Sequence, residues 1–349
     1  MMPMTMIDAL EPRRMLAADT TLLRVKSVTA DNRGEILVQF SERATGVKGS
    51  AFQVYTAGAD GKLYTSDDKR ETVGFTYSKA KKLLRIVANI PKDTPYRLKL
   101  DGKTRIKSEA NGSLLDGDFV SASRASGDGV AGGNYEMQVQ RDTGKSPEVK
   151  IRTSVGDITV RMRGDLEGLE RTISNFLTYV NKGRYDGVIF HRIVTTNSGG
   201  IGIVQAGGFT GTGQTLATDP GSGEQYAKPT QAITNEAPIK LEAGILSNLA
   251  GTLAMARTGD PDSATGQFYF NVTNNIALDP NSSSDGYAAF AEVTNAASTA
   301  TLAAIYGATI SNLSNGMPYS TFTTVPTVNS SIISVQRAAV FSKVVSKKG

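Results

Sequence analysis

Hydrophobic and polar residues alternate in short runs over the first third of the chain. In "EILVQFSE" (35–42), Ile36, Val38 and Phe40 fall on one face, the two-residue period of a half-buried strand. "AFQVYTA" (51–57), "TVGFTYS" (72–78), "KLLRIVANI" (82–90), "YRLKLDG" (96–102) and "NYEMQVQRD" (134–142) repeat the signal. Turn-forming stretches such as "DGK" and "IPKDTP" separate them. Short strands at this spacing predict a β-sandwich over 22–142. The preceding segment 1–21 reads as a disordered leader, and 143–148, within "DTGKSPE", as a linker. A second domain is expected over 149–349. It opens on "VKIRTSVGDITVRMRG", which predicts a hairpin: Ile151, Thr153 and Val155 on one arm, a turn at Gly156-Asp157, then Ile158, Val160 and Met162. Over 168–182 the period lengthens. Leu169, Ile173, Phe176, Leu177 and Val180 form one helical stripe, and Gly183 stops it.

Composition narrows the chemistry. The 349 residues include no cysteine and a single histidine, His191, which removes disulfides, thiolate nucleophiles and thiolate metal sites and leaves one imidazole at most for any metal centre. No apolar run reaches the length of a membrane helix. The net charge of +5 comes from scattered Lys and Arg, which reads as a solvated surface and not as a nucleic-acid face. Gly144-Lys145-Ser146 is no phosphate loop, because Val139 replaces the required glycine and Pro147 blocks the helix start. "GADGKLYTSDD" (58–68) gathers Asp60, Asp67 and Asp68 without the calcium-loop spacing, so a solvated acidic turn is expected.

The lone histidine sits beside an arginine in "YDGVIFHRIV" (185–194). That stretch belongs to an ordered set: "NFLTYVNKGRYDGVIFHRIV" (175–194), "VQAGGFTGTG" (204–213), "LSNLAGTLAMARTGDPDSATGQFYFNV" (246–272) and "LDPNSSSDGYAAFAEV" (278–293). Taken together, the four blocks resemble those of the cyclophilins, a family of peptidyl-prolyl cis–trans isomerases, over about 149–345. The resemblance implies a closed eight-stranded antiparallel β-barrel capped by two helices, with its site on the outer face. It implies action on proline-containing polypeptides, with no cofactor or metal. Of the site residues, Arg192 is then the catalytic arginine and Gln205 the glutamine that orients it. Ile203, Tyr269, Leu278 and Tyr287 fall on pocket positions, and Ala256 with the backbone of Arg257 on the substrate-pairing strand. Gln267 falls beside the neighbouring subsite, and Phe268 in the core. His191, one residue from Arg192, should point the opposite way, into the barrel.

The chain departs from the family pattern at two aromatic positions. "TTNSGGIGIVQ" (195–205) is longer than the usual link and puts Gly202 where a pocket phenylalanine is usual; Ala277 replaces another aromatic. A weakly active or inactive peptide-binding module of a surface protein is therefore the alternative reading. "YAKPTQAITNEAPIKLEAG" (226–244) fits the family's variable loop, and "NAASTATLAAIYGAT" (295–309) its second helix. The first domain resembles bacterial Ig-like domains, and "LEPRRML" (10–16) resembles an N-terminal motif of exported bacterial proteins. An extracytoplasmic or cell-surface location follows from these two resemblances, as does a surface partner for the Ig-like domain.

Overall fold

The computed structural model describes residues 22–90, 94–119, 125–141, 144–211, 217–218, 225–226, 231–312, 322–329, 331–340 and 342–345. The leader with "LEPRRML", part of the variable loop and the end of the basic tail lie outside the described residues. The chain divides into two compact units, one built on Gly34–Gln140 and the other on Arg141–Lys343.

The first unit is built mainly on two antiparallel sheets. One runs in the order Val25–Ala30, Glu35–Phe40, Leu83–Ala88, Val73–Ser78. The other runs Tyr135–Arg141, Tyr96–Leu100, Phe52–Thr56, Lys69–Arg70. Alternation decides which side chains meet. Ile36, Val38, Phe40, Leu84 and Ile86 from the first sheet share one buried cluster with Phe52, Val54, Leu98, Leu100 and Met137 from the second. In the acidic loop the carboxylates serve the loop itself. Asp68 accepts from the N–H of Tyr64 at 3.0 Å and pairs with Arg97 at 3.3 Å, while the Thr65 hydroxyl donates to Asp67.

The second unit is an eight-stranded antiparallel sheet. Its strands are β1 (Glu148–Thr153), β2 (Gly156–Met162), β3 (Arg192–Val194), β4 (Ile203–Ala206), β5 (Thr252–Met255), β6 (Phe268–Asn271), β7 (Ala289–Val293) and β8 (Val335–Val340). The spatial order is β3-β4-β6-β5-β7-β2-β1-β8. The two ends are tied by the irregular segment before β3. Ile189 bridges Ser334, Phe190 N–H donates to Ile333 O at 3.0 Å, and Val335 N–H to Val188 O at 2.7 Å. The sheet thus curls into a barrel with one ragged seam.

The first hairpin turns two residues earlier than the sequence pattern suggested. Thr153 pairs with Gly156, so Ser154 and Val155 form the turn and Asp157 lies within β2. The cause is the Thr153 hydroxyl, which accepts from Val155 N–H at 3.2 Å and donates to Gly156 O at 2.6 Å.

Helices α1 (Glu170–Asn181) and α2 (Ala296–Tyr306) cover the barrel. The α1 stripe of Leu169, Ile173, Phe176 and Val180 enters the core as patterned, while Leu177 is only partly buried. No side chain of its own caps α1. Glu242, from the far loop, accepts from Arg171 N–H at 3.2 Å and Thr172 N–H at 2.8 Å, which places a carboxylate at the positive end of the helix. Beyond the other end Gly183 takes φ +67°, the left-handed conformation that ends helices. Asn295 caps α2 through Ser298 N–H, and the Ser298 hydroxyl accepts from Thr159 N–H of β2 at 2.9 Å. Aromatic packing fills the interior: Phe176 lies 5.2 Å from Tyr185 and 5.6 Å from Phe268, between ring centroids.

Candidate active site on the barrel's outer face

Strand register places the site. Arg192 on β3 stands opposite Gln205 on β4, Gln205 opposite Tyr269 on β6, and Tyr269 opposite Ala254 on β5. Residues directly opposite in a ladder share a face, so the four form one row across the sheet. The neighbouring residues Ile193, Val204, Phe268 and Phe270 point inward and belong to the barrel core. The row is therefore on the outside.

The outer face carries its own apolar cluster. Ile203, Ala254, Tyr269 and Ala289 are buried there, with Val194, Ile201, Leu246, Ala256, Leu278 and Tyr287 packed around them. Ile203, Tyr269, Leu278 and Tyr287 were expected at pocket positions and Ala256 on the substrate-pairing strand; one cluster holds all five. Polar groups border it. Arg192 is exposed and donates from Nη1 to Gln205 Oε1 at 3.2 Å. Gln205 is 9% exposed, and its Nε2 donates to Gln267 Oε1 at 2.8 Å. The guanidinium is thus held by a chain of two amides that is fixed at both links. Across the cluster the Tyr269 and Tyr287 rings meet edge to face at 6.0 Å, and the Arg257 guanidinium lies 4.6 Å from the Tyr287 centroid. Ala256 N–H donates to Gln267 O, leaving the end of β5 tied to β6.

The two departures have different outcomes. A side chain at Gly202 would not enter the pocket: its Cβ would lie 2.7 Å from Thr273 Oγ1 and 3.1 Å from the Tyr306 hydroxyl. Ile201 and Val194, at the ends of the longer link, pack on the outer cluster instead and supply apolar surface. Ala277 is exposed.

A network of buried asparagines holds the pocket wall, and nothing in the sequence pattern had marked it. Asn248, fully buried, accepts the Tyr269 hydroxyl on Oδ1 at 2.9 Å. Its Nδ2 donates to Tyr287 O at 3.1 Å, Leu278 O at 3.3 Å and Asp279 Oδ1 at 2.9 Å. Three pocket residues therefore hang on one amide. Asn271 donates to Asn248 at 3.1 Å and to Thr252 at 2.8 Å. Asn275 clasps the backbone of Gly202 from both sides: its Oδ1 accepts from Gly202 N–H, and its Nδ2 donates to Gly202 O, each at 2.9 Å.

His191 does not enter the barrel. Strict alternation fails because β3 begins only at Arg192, and Phe190 takes the inward position. The His191 ring, 3% exposed, stands edge-on to Phe209 at 5.1 Å and Phe322 at 6.2 Å in a side cluster. Among the described residues its Nδ1 has no hydrogen-bond partner. Burial pushes its pKa down to about 4, against the pull of the Ile189 carbonyl and the Gln267 amide. The imidazole is therefore neutral at pH 7. Below pH 6.5 the unfolded chain takes up a proton that the folded chain refuses until about pH 4. Stability should fall through that window, by about 3 kcal/mol in total from this group. Denaturant titrations at pH 7 and pH 4 should show the loss, and His191→Phe should shrink it. An equal loss in both proteins would refute the assignment.

Comparison with known proteins agrees with this geometry. The family model for cyclophilin type peptidyl-prolyl cis-trans isomerase/CLD matches residues 148–336. The chain is 38% identical over 149 residues to peptidyl-prolyl cis-trans isomerase A of Dickeya dadantii (strain 3937), covering 42% of this chain and 66% of that protein. It is 39% identical over 150 residues to peptidyl-prolyl cis-trans isomerase cyp18 of Streptomyces antibioticus, and 38% over 149 to peptidyl-prolyl cis-trans isomerase B of Escherichia coli (strain K12). Each of these two alignments covers 42% of this chain and 76% of the relative. With the barrel, the outer-face row and these matches in hand, the chain belongs to the cyclophilin-type peptidyl-prolyl cis–trans isomerase family.

Proposed function

We propose that the second unit accelerates rotation about X–Pro bonds in polypeptides, with Arg192 as the electrostatic catalyst. The amide barrier of about 18–20 kcal/mol comes from resonance of the nitrogen lone pair with the carbonyl. A cationic donor aimed at the prolyl nitrogen stabilises the lone pair as the amide twists, so it favours the transition state over either ground state. Arginine suits the role because it is always charged and planar. Gln205 fixes the guanidinium, with Gln267 bracing Gln205. The proline ring seats on Ile203, Tyr269 and Leu278, and the flanking backbone runs along Ala256 and Arg257 beside Tyr287. No bond is made or broken, and no cofactor is required.

The observation that supports this reading is the row Arg192–Gln205–Tyr269 lying over an apolar cluster on the sheet's outer face. The apolar surface from Ile201 and Val194 favours an active enzyme over an inert binding module. In the same proposal the substrates are exported proteins, the first unit is an Ig-like partner domain that offers a surface for further contacts, and the setting is extracytoplasmic. The exported-protein motif and the company of the two domains support that part. Titrating a short Ala-Pro peptide into the labelled protein tests the site. Chemical-shift changes should centre on Ile203, Ala256, Tyr269, Leu278 and Tyr287. Changes confined to other faces of the barrel would contradict the assignment.

A further inference from the structure

The side chain of Arg257 has no part in the scheme above, which uses only its backbone. Its surroundings are unusual for a cation. Nε donates to Gly286 O at 2.9 Å, and Nη1 donates to Thr258 O at 2.9 Å and Gly259 O at 3.4 Å. The guanidinium carbon lies 4.6 Å from the Tyr287 centroid. All of these partners are neutral, and Nη2 has no partner among the described residues.

Three carboxylates of the flanking segments are engaged elsewhere, and Asp285, next to Gly286, is exposed to solvent. Asp279 accepts from the Ser247 hydroxyl and from Asn248. Asp260 accepts from Asp262 N–H, and Asp262 from Leu241 N–H. Among the described residues no ion pair neutralises Arg257. Following contacts from Arg192 leads through Gln205, across the β4–β6 register to Tyr269, then to Tyr287 and Arg257. The apolar cluster therefore lies between two arginines. One is exposed and bonded to Gln205, and the other is half-buried and held in place by carbonyls.

We infer that Arg257 sets sequence preference: it recruits substrates carrying an aspartate or glutamate side chain close to the proline. A guanidinium already fixed by three hydrogen bonds loses little freedom when it meets a carboxylate, and its Nη2 hydrogens remain to donate to a carboxylate oxygen. Its stacking on Tyr287 keeps water from one face, so the charge acts at reduced dielectric. This inference rests on the outer cluster being the peptide site, and it adds a selectivity that the isomerase reading does not require.

The test uses acetylated, amidated pentapeptides with a central Ala-Pro. Glu, Gln or Lys is placed two residues before the proline or directly after it. Binding is measured by chemical-shift titration, and cis–trans exchange separately. Glu peptides should bind about three- to tenfold more tightly than Gln peptides at one position or both, with Lys weakest. Salt at about 1 M, where the screening length is about 3 Å, should remove most of the preference in the unmodified protein. Arg257→Gln should bring the Glu-to-Gln ratio to within about twofold of one. A ratio of one in the unmodified protein at both positions, or a preference that survives Arg257→Gln, overturns the inference. An Ala-Pro peptide with a free terminal carboxylate should gain less than the Glu side chain; an equal or larger gain would mean that a chain terminus is the ligand, which overturns the side-chain assignment. The two measurements separate the claims. Exchange without a charge preference sinks this inference alone, while a charge preference without exchange sinks only the isomerase reading.

Discussion

Arg192→Ala is expected to lower kcat/KM for an X–Pro peptide by about 10²–10³-fold, the usual loss for one preorganised donor. The expectation follows from what Arg192 does not do. It contributes no apolar wall, since the cluster is built from Ile203, Ala254, Tyr269 and their neighbours. Peptide affinity should therefore change by less than about tenfold while turnover collapses. Arg192→Lys is the informative companion. Lysine keeps the charge but lacks the planar fork that can bond Gln205 and still face the substrate, so recovery should be partial. Matched exchange and titration measurements on the three proteins decide it. A proportional loss of affinity and rate would move Arg192 from catalysis to simple binding.

Asn248→Ala should be the most damaging change outside the hydrophobic core. The amide is fully buried and serves the Tyr269 hydroxyl, the Tyr287 carbonyl, the Leu278 carbonyl and Asp279. Leu278 O keeps a second donor in Tyr287 N–H, and Asp279 keeps Ser247 and the Asn248 N–H. The Tyr269 hydroxyl and Tyr287 O lose the partner named here. Each buried polar group left unsatisfied costs about 1–3 kcal/mol, so for two groups a loss of about 2–6 kcal/mol is expected. Denaturant midpoints measure it. Because Tyr269 and Tyr287 form the wall, KM should rise more than kcat falls. An unchanged midpoint would show that water or rearrangement replaces the amide, contrary to this account.

The parts of the molecule that sequence made legible share one property: a single local period or a contiguous block carries them. Ile36, Val38 and Phe40 announce their strand, and Leu169, Ile173, Phe176 and Val180 their helix, because burial repeats at the period of the element. Arg192, Gln205 and Tyr269 were readable from ordered blocks, and the register then aligned them. What escaped depends on groups distant in the chain. The strand Val25–Ala30 has little alternation to show, with Lys26 and Ser27 both exposed. The first hairpin was misplaced because one threonine hydroxyl outweighs the Gly-Asp signal. Strict alternation misdirected His191 because its strand starts one residue later. The role of Ile201 could not be read from a link whose path is set by Asn275, more than seventy positions away. Asn248 looked like any loop asparagine until Tyr269 and Tyr287 closed on it.

The central claim is that the fixed guanidinium of Arg192 lowers the barrier to X–Pro rotation. Exchange spectroscopy on an acetylated, amidated Ala-Ala-Pro-Phe peptide tests it most directly, without a coupled protease. Catalytic amounts of the protein should bring exchange from the uncatalysed tens to hundreds of seconds into the range of a second or faster, at about 25 °C. The same amount of Arg192→Ala should return it nearly to background. Exchange at the uncatalysed rate with the unmodified protein, or acceleration that Arg192→Ala preserves, would contradict the account.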